Sequence, residues 1–177
     1  MPKPNHLFTV TAWLLKAMSL IALGVVCLLV LVLGGVLLAQ MGVFHIPVPA
    51  NEMHGLVMDV ALRGVALVLV AAVVCIVMLA LVLFLTSRIV DSATVGDPFV
   101  DTNATRLNRI GFLLLAMQGV GLATHAMIAR MPAELHGHLN FSFDASPSGL
   151  FAVLLVFVLA QIFRRGSEMR AELEGTI

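Results

Sequence analysis

Two polar side chains inside an apolar run are the first candidates for chemistry. Gln118 and His125 lie seven residues apart in the run 110–129, which has no Asp, Glu, Lys or Arg. Residues at this spacing share one face of a helix. If the run crosses a membrane, an ionisable residue within it usually marks a functional site, which favours a small transport or ligand-binding bundle. The alternative is a structural interhelical hydrogen bond, worth about 0.6–2 kcal/mol.

The histidines suggest a second kind of chemistry, which is metal binding. His45, His54, His136 and His138 fall in segments between the apolar runs. Imidazole is the commonest metal ligand, so a zinc or copper sensor on one side of a membrane is an alternative interpretation. Their spacing matches no established motif such as HExxH, and neither cysteine lies in those segments. We therefore expect no metal site and no cofactor.

Enzyme chemistry has the weakest support. No nucleophile–base pair, phosphate-binding loop or pair of carboxylates stands out, so we expect a non-enzymatic protein without catalytic residues. No apolar run contains a carboxylate, which disfavours a proton-coupled exporter. The formal net charge is zero, so we expect no direct binding of nucleic acid.

The most structured motif is the segment 96–111, GDPFVDTNATRLNRIG. Asp97 and Pro98 are typical of a helix start. At about 100° per residue, apolar and polar side chains gather on opposite arcs, which predicts an amphipathic helix over 98–109 at the membrane interface. Asn103 lies within the apolar arc and Arg106 at its edge. They either lock this helix onto span ends or a partner protein, or contact lipid headgroups and the local loop.

A charged helical tail, residues 164–174, follows the last apolar run. Arg164 and Glu168 have the four-residue spacing of a helical ion pair. Ile162, Met169, Leu173 and Ile177 form an apolar stripe that could dock the 98–109 helix or a soluble partner. We predict a partner-binding surface formed by seven residues of this segment and the preceding motif: Asp97, Phe99, Asn103, Arg106, Arg109, Arg164 and Arg165.

Long apolar runs must position all of these residues. The 177-residue chain is 60% hydrophobic and 11% charged, against about 45–50% and 25% in soluble domains. About 20 apolar residues cross a membrane as a helix, which satisfies its backbone hydrogen bonds internally. We predict an all-α integral membrane bundle, a single domain over 1–177, with four transmembrane helices and the cytoplasmic amphipathic helix before the third. The spans are about 17–40, 62–88, 110–130 and 147–165.

Two details of these spans follow from local sequence. The fourth uncharged run, 149–163, is short, so its helix should begin upstream near Ser146 or cross a locally thinned bilayer. Gly119 and Ala123 are small residues four apart, a spacing that lets helices approach closely.

Lys and Arg placement predicts the orientation in the membrane. If the N-terminus is cytoplasmic, eight of these residues lie on the inner side and only Arg63 and Arg130 on the outer side. Positive residues are enriched on the cytoplasmic side. We therefore expect a multi-pass inner-membrane protein with both termini, the 98–109 helix and the 164–174 tail in the cytoplasm.

The segment 96–111 and the ending FAVLLVFVLAQIFRRGSEMRAELEGTI resemble bacterial inner-membrane proteins of domain-of-unknown-function family 2975. This chain has Gln161 where members of that family more often have Glu. The resemblance implies no catalytic residues. It implies a membrane protein that senses a signal or sequesters a small helix-turn-helix regulator encoded beside it. The expected partners are the lipid bilayer and such a regulator or another membrane subunit, and a homo-oligomer stays open.

Overall fold

The secondary structure is helical throughout the part of the chain that is described. The computed structural model describes residues 6–43, 55–95, 99–131 and 146–174. Their helices are α1 (His6–Gln40), α2 (Gly55–Val95), α3 (Asp101–Ile128) and α4 (Pro147–Glu174). Each is long and apolar enough to cross a membrane. The predicted all-α class with four transmembrane helices is confirmed, whereas the single-domain assignment stays a prediction.

The helix ends show where local sequence determines the fold. Ser146 precedes α4, and its hydroxyl accepts a hydrogen bond from the Gly149 backbone N–H at 3.1 Å. Serine before a helix and proline at its first position are both favoured. The predicted start near Ser146 is therefore confirmed. α3 ends at Ile128, two residues earlier than predicted, and continues as a hydrogen-bonded turn to Met131.

The predicted amphipathic segment is not separate from the third span. Residues 101–109 form the first turns of α3, which runs without a break to Ile128. Val100 has an extended backbone and precedes the helix, while residues 96–98 lie outside the described residues. No proline interrupts the segment 101–128, so the backbone hydrogen bonds of the two segments join. That residues 101–109 contact the membrane interface stays a prediction.

The helices pack mainly against their neighbours in sequence: α1 on α2, α2 on α3, and α3 on α4. Many of the buried side chains are small, including Ala12, Ala71, Cys75 and Ala80. Large apolar side chains point outward instead, and Leu31 is 75% exposed. This distribution is typical of helices in lipid, where association depends on close approach through small residues because the surrounding chains are as apolar as leucine.

Glycines allow close approach between α3 and α4 at positions that the sequence did not single out. Gly119 has open space around it, so its spacing from Ala123 does not mark a close helix contact among the described residues. Gly111 is buried instead, and a Cβ built there would lie 2.8 Å from the Phe157 ring. Phe157 also packs edge-on against Phe112, with ring centroids 5.2 Å apart.

An ion pair joins α1 to α2, and we expect it to add little stability. Lys16 Nζ lies 3.0 Å from Asp91 Oδ2, but the two side chains are 54% and 38% exposed. Exposed pairs contribute about 0–1 kcal/mol, so Lys16→Ala should change the free energy of unfolding in mixed micelles by less than about 1 kcal/mol. Lys16→Arg, which keeps the charge, is the control. A loss of several kcal/mol confined to Lys16→Ala would show that lipid or detergent shields the pair from water.

Candidate functional site

Most of the predicted partner-binding residues meet at one end of the bundle, where α2 ends, α3 begins and the charged part of α4 follows. We call this the arginine-rich end, because five arginines from these three helices lie there: Arg88, Arg106, Arg109, Arg164 and Arg165. Asp97, the acidic residue among the seven predicted for partner binding, lies outside the described residues. Three features are found at this end: a buried hydrogen-bond network, an exposed tail and a groove.

The buried network is centred on Asn103, whose side chain is fully enclosed. Its Nδ2 donates to Ser92 Oγ at 2.6 Å, and its Oδ1 accepts from Arg106 Nη1 at 2.9 Å. Arg106 Nη1 also donates to the backbone carbonyl of Arg88 at 3.2 Å. The Ser92 hydroxyl donates onward to the Ile89 carbonyl at 2.7 Å. We call these bonds the Asn103 network. Donation runs from Arg106 to Asn103, then to Ser92 and to the Ile89 carbonyl, so neighbouring bonds polarise one another.

The Asn103 network ties the start of α3 to the last turns of α2. A buried amide needs partners, and here α2 supplies one through Ser92. The sequence left open whether Asn103 and Arg106 lock their helix onto span ends or a partner protein, or contact headgroups and the local loop. The structure shows both side chains bonded to residues 88–92, which form the last turns of α2 and not a loop. Asn103 is inaccessible, so an effect on a partner would act through the position of the helix, and that role stays a prediction.

Phe99, which lies just before α3, packs against α4 at two positions. The rings of Phe99 and Phe163 lie 5.2 Å apart between centroids. Gly166 lies so close to Phe99 that a Cβ at this glycine would be 2.8 Å from the ring. Because Phe99 precedes the first residue of α3, the part of α4 after Gly166 runs past that helix. The part of the tail beyond Gly166, residues 167–174, is about 12 Å long at 1.5 Å per residue.

The apolar stripe shares its helix face with Gly166, because Ile162, Gly166, Met169 and Leu173 follow the three- and four-residue spacing of one face. Ile162, Met169 and Leu173 are 55%, 61% and 72% exposed. Of the two occupants that the sequence suggested, the 98–109 segment reaches this face only through Phe99 at Gly166, and the three side chains stay more than half exposed. Ile177, the fourth residue of the stripe, lies outside the described residues, and the three described residues are largely uncovered.

A groove of about 670 Å³ separates the start of α3 from the charged part of α4. Its polar lining comes from both helices: Asp101 and Asn108 on α3, and Gln161, Arg164, Arg165 and Glu168 on α4. Arg164 Nε lies 3.3 Å from Glu168 Oε1, which confirms the predicted helical ion pair. Arg109 is exposed on α3 and lines neither this groove nor the one described next.

A smaller groove of about 320 Å³ lies farther along the surface of α4 and is mostly apolar. It shares three lining residues with the first: Phe157, Gln161 and Arg165. The sequence interpretation missed Asn108 and Gln161 as lining residues. A signal was present, because Asp101 with Asn108 and Gln161 with Glu168 each have the seven-residue spacing of one helix face.

Gln118 and His125 have different surroundings. The Gln118 amide nitrogen lies directly over Gly149, so close that a Cβ there would overlap it. The Gln118 side-chain oxygen is buried and has no hydrogen-bond partner among the described residues. His125 is exposed. α4 therefore begins at the level of Gln118, ten residues before the end of α3. A transport or ligand-binding role for this pair stays a prediction.

The metal-sensor alternative depends on residues that the structure does not describe. His45, His54, His136 and His138 all lie outside the described ranges. Within those ranges, no group of three or more His, Cys, Asp or Glu side chains is arranged to hold a metal ion. The alternative therefore stays a prediction.

Four long helices with apolar exteriors and small-residue contacts define a multi-pass membrane protein. Residues 45–177, about three quarters of the chain, match the family described as protein of unknown function (DUF2975), and the chain belongs to this family. The resemblance seen in the sequence is thereby confirmed. The match begins after α1 and includes α2, α3, α4 and the whole arginine-rich end. No curated protein and no solved structure matches the chain.

Proposed function

We propose that this protein is a non-enzymatic inner-membrane protein that holds a cytoplasmic helix-turn-helix regulator at the membrane and releases it in response to a signal. The observation that carries the proposal is the exposed apolar stripe on the tail of α4, which runs past the start of α3. A partner could reach this surface without displacing a packed helix.

The stripe has the geometry of a helix that binds in a partner's groove. Met169 and Leu173 are four residues apart, and Ile162 precedes Met169 by seven. Such spacings present anchor side chains on one face for helix-in-groove recognition. The tail is continuous with α4, which Phe99 holds at Phe163 and Gly166. A helix already ordered in this way loses less conformational entropy on binding than a disordered segment would.

Charge and orientation favour a regulator as the partner. The positive-inside bias predicts that the tail is cytoplasmic. Glu172 is exposed on the tail beside the stripe, whereas Glu168 is paired with Arg164. Nucleic-acid-binding domains carry basic faces, which the Glu172 carboxylate would complement. Membership of the family supports the same partner class through the neighbouring regulator that the sequence resemblance implies.

The test measures how much of a tagged regulator, encoded beside this protein, is found at the membrane of cells. The double variant Met169→Asp plus Leu173→Asp should lower the membrane-bound fraction more than tenfold. Burial of each apolar side chain is worth about 1.5–3 kcal/mol, and about 1.4 kcal/mol corresponds to a tenfold change in affinity. The regulator should then regulate as it does in cells lacking the membrane protein.

The matched control is Ala171→Asp, which places the same carboxylate on the opposite side of the same tail. Ala171 is exposed and lies about 180° from the stripe. This variant should retain the regulator at the membrane. Equal retention by the stripe variant, or a C-terminal reporter located outside the cytoplasm, would overturn the proposal.

A further inference from the structure

We propose that the polar groove between α3 and α4 and the adjoining apolar groove on α4 bind one phospholipid whose zwitterionic headgroup carries a primary ammonium. The headgroup occupies the polar groove at the arginine-rich end, and an acyl chain follows the apolar groove along α4. This inference does not rest on the proposed function, because it requires no protein partner, although Ile162 belongs to both the stripe and the apolar groove.

The polar groove offers one anionic and one cationic side chain for a ligand. Asp101 lies on its α3 wall and Arg165 on its α4 wall. Neither side chain forms a hydrogen bond or ion pair with another described residue. The other two charged residues of the lining, Arg164 and Glu168, are paired with each other at 3.3 Å. A guanidinium binds phosphate, and a carboxylate accepts charge-assisted hydrogen bonds from an ammonium.

The balance of charge indicates which headgroup fits. Asp101, Glu168, Arg164 and Arg165 give the lining a formal charge of zero. A headgroup with a net negative charge would leave Asp101 facing a second anion at close range, which is unfavourable. A headgroup that pairs phosphate with a primary ammonium satisfies Arg165 and Asp101 together. A quaternary ammonium has the same charge but no N–H to donate, so it satisfies Asp101 less well.

The apolar groove indicates that the ligand is a lipid and not a free phosphate compound. It continues from Arg165 through Gln161 and Phe157 to Leu154. From Arg165 to Leu154 is eleven residues, or about 16 Å along a helix, close to half the roughly 30 Å hydrocarbon thickness. Leu154 and Val158 are exposed on the outer surface of α4. An acyl chain lying there would have its polar end at Arg165.

The volume also suits a specific ligand. Small-molecule sites are typically about 300–1,000 Å³, and the polar groove has about 670 Å³. Its amide and hydroxyl groups, from Asn108, Gln161 and Thr105, offer further donors and acceptors to a glycerophosphate. The mixture of a charged end and an apolar end therefore matches a whole amphiphile.

Native mass spectrometry of the detergent-purified full chain tests this inference. The protein is titrated separately with phosphatidylethanolamine, phosphatidylcholine and phosphatidylglycerol carrying identical acyl chains. We expect one tightly bound phosphatidylethanolamine, with an affinity about tenfold above those of the other two lipids, the difference expected from one charge-assisted hydrogen bond. Equal affinities for the three lipids, or tighter binding of phosphatidylglycerol, would overturn the assignment.

Three variants locate the site on the two walls of the groove. Asp101→Asn should remove the preference for phosphatidylethanolamine over phosphatidylcholine, whereas Asp101→Glu should retain it. Arg165→Gln should lower the affinity for both lipids about tenfold, since both contain the phosphate. Arg130→Gln, at the other end of α3, is the control and should leave the affinities for all three lipids unchanged. Unaltered binding in both Asp101→Asn and Arg165→Gln, with helicity preserved, would contradict the site even if a regulator still binds the tail.

Discussion

Asn103→Leu should destabilise the protein by about 3 kcal/mol, the largest loss that we expect from a single polar substitution. Leucine has a similar volume but leaves Ser92 Oγ without its amide donor and Arg106 without one of its two acceptors. An unsatisfied polar group costs about 1–3 kcal/mol when buried, and Ser92 and Arg106 are both partly buried, so about 1.5 kcal/mol for each accounts for the total. The measurement is the free energy of unfolding in mixed micelles of increasing denaturing detergent.

Asn108→Leu is the matched control for this experiment. It makes the same chemical change five residues later on α3, at an exposed position, and should alter stability by less than about 0.5 kcal/mol. Ser92→Ala combined with Asn103→Leu should cost less than the sum of the two single changes, because both remove the same hydrogen bond. Equal losses from Asn103→Leu and Asn108→Leu, or strict additivity with Ser92→Ala, would contradict the role assigned to the Asn103 network.

Gly111→Leu should separate α3 from α4 at the contact between Gly111 and Phe157, at a cost of about 2–3 kcal/mol. A Cβ at this position would already lie 2.8 Å from Phe157 Cε1, and a leucine side chain extends farther. Overpacking of a close contact typically costs about 1–3 kcal/mol. The edge-on contact between Phe112 and Phe157 would be disturbed at the same time. The same detergent titration measures the loss.

Gly119→Leu supplies the comparison within the same helix. Gly119 has no neighbouring atom within 4 Å of a built Cβ, so leucine has room there. Since glycine within a helix costs about 1 kcal/mol relative to a good helix former, this variant should be neutral or slightly stabilising. Phe157→Ala should restore part of the stability lost in Gly111→Leu by making space on α4. Destabilisation by Gly119→Leu as large as that by Gly111→Leu would refute the packing described here.

The spans and several helix ends could be predicted from the sequence because they depend on local composition. An apolar run must bond its own backbone in lipid, so four such runs imply four helices wherever they pack. The start of α4 follows from Ser146 and Pro147, and the Arg164–Glu168 pair follows from spacing within one helix. Each of these features needs no knowledge of a neighbouring helix.

The neighbours of each residue could not be predicted, because periodicity identifies a face but not what lies against it. The burial of Asn103 was foreseeable from its place in an apolar arc, whereas Ser92 as its partner was not. Gly111 and Gly119 are both small residues of α3, and only the position of Phe157 on α4 distinguishes them. The groove was missed for the same reason, since its two polar walls belong to separate helices.

The order of helix packing also has a consequence for how the protein is made. α1 and α2 leave the ribosome first, and their shared interface needs nothing from later residues. This hairpin can therefore associate in the bilayer while the second half is still being translated. The Asn103 network forms only once the start of α3 has been synthesised and reaches Ser92. Biogenesis therefore has two steps, in which α1 first packs against α2 and the start of α3 later forms hydrogen bonds with the end of α2.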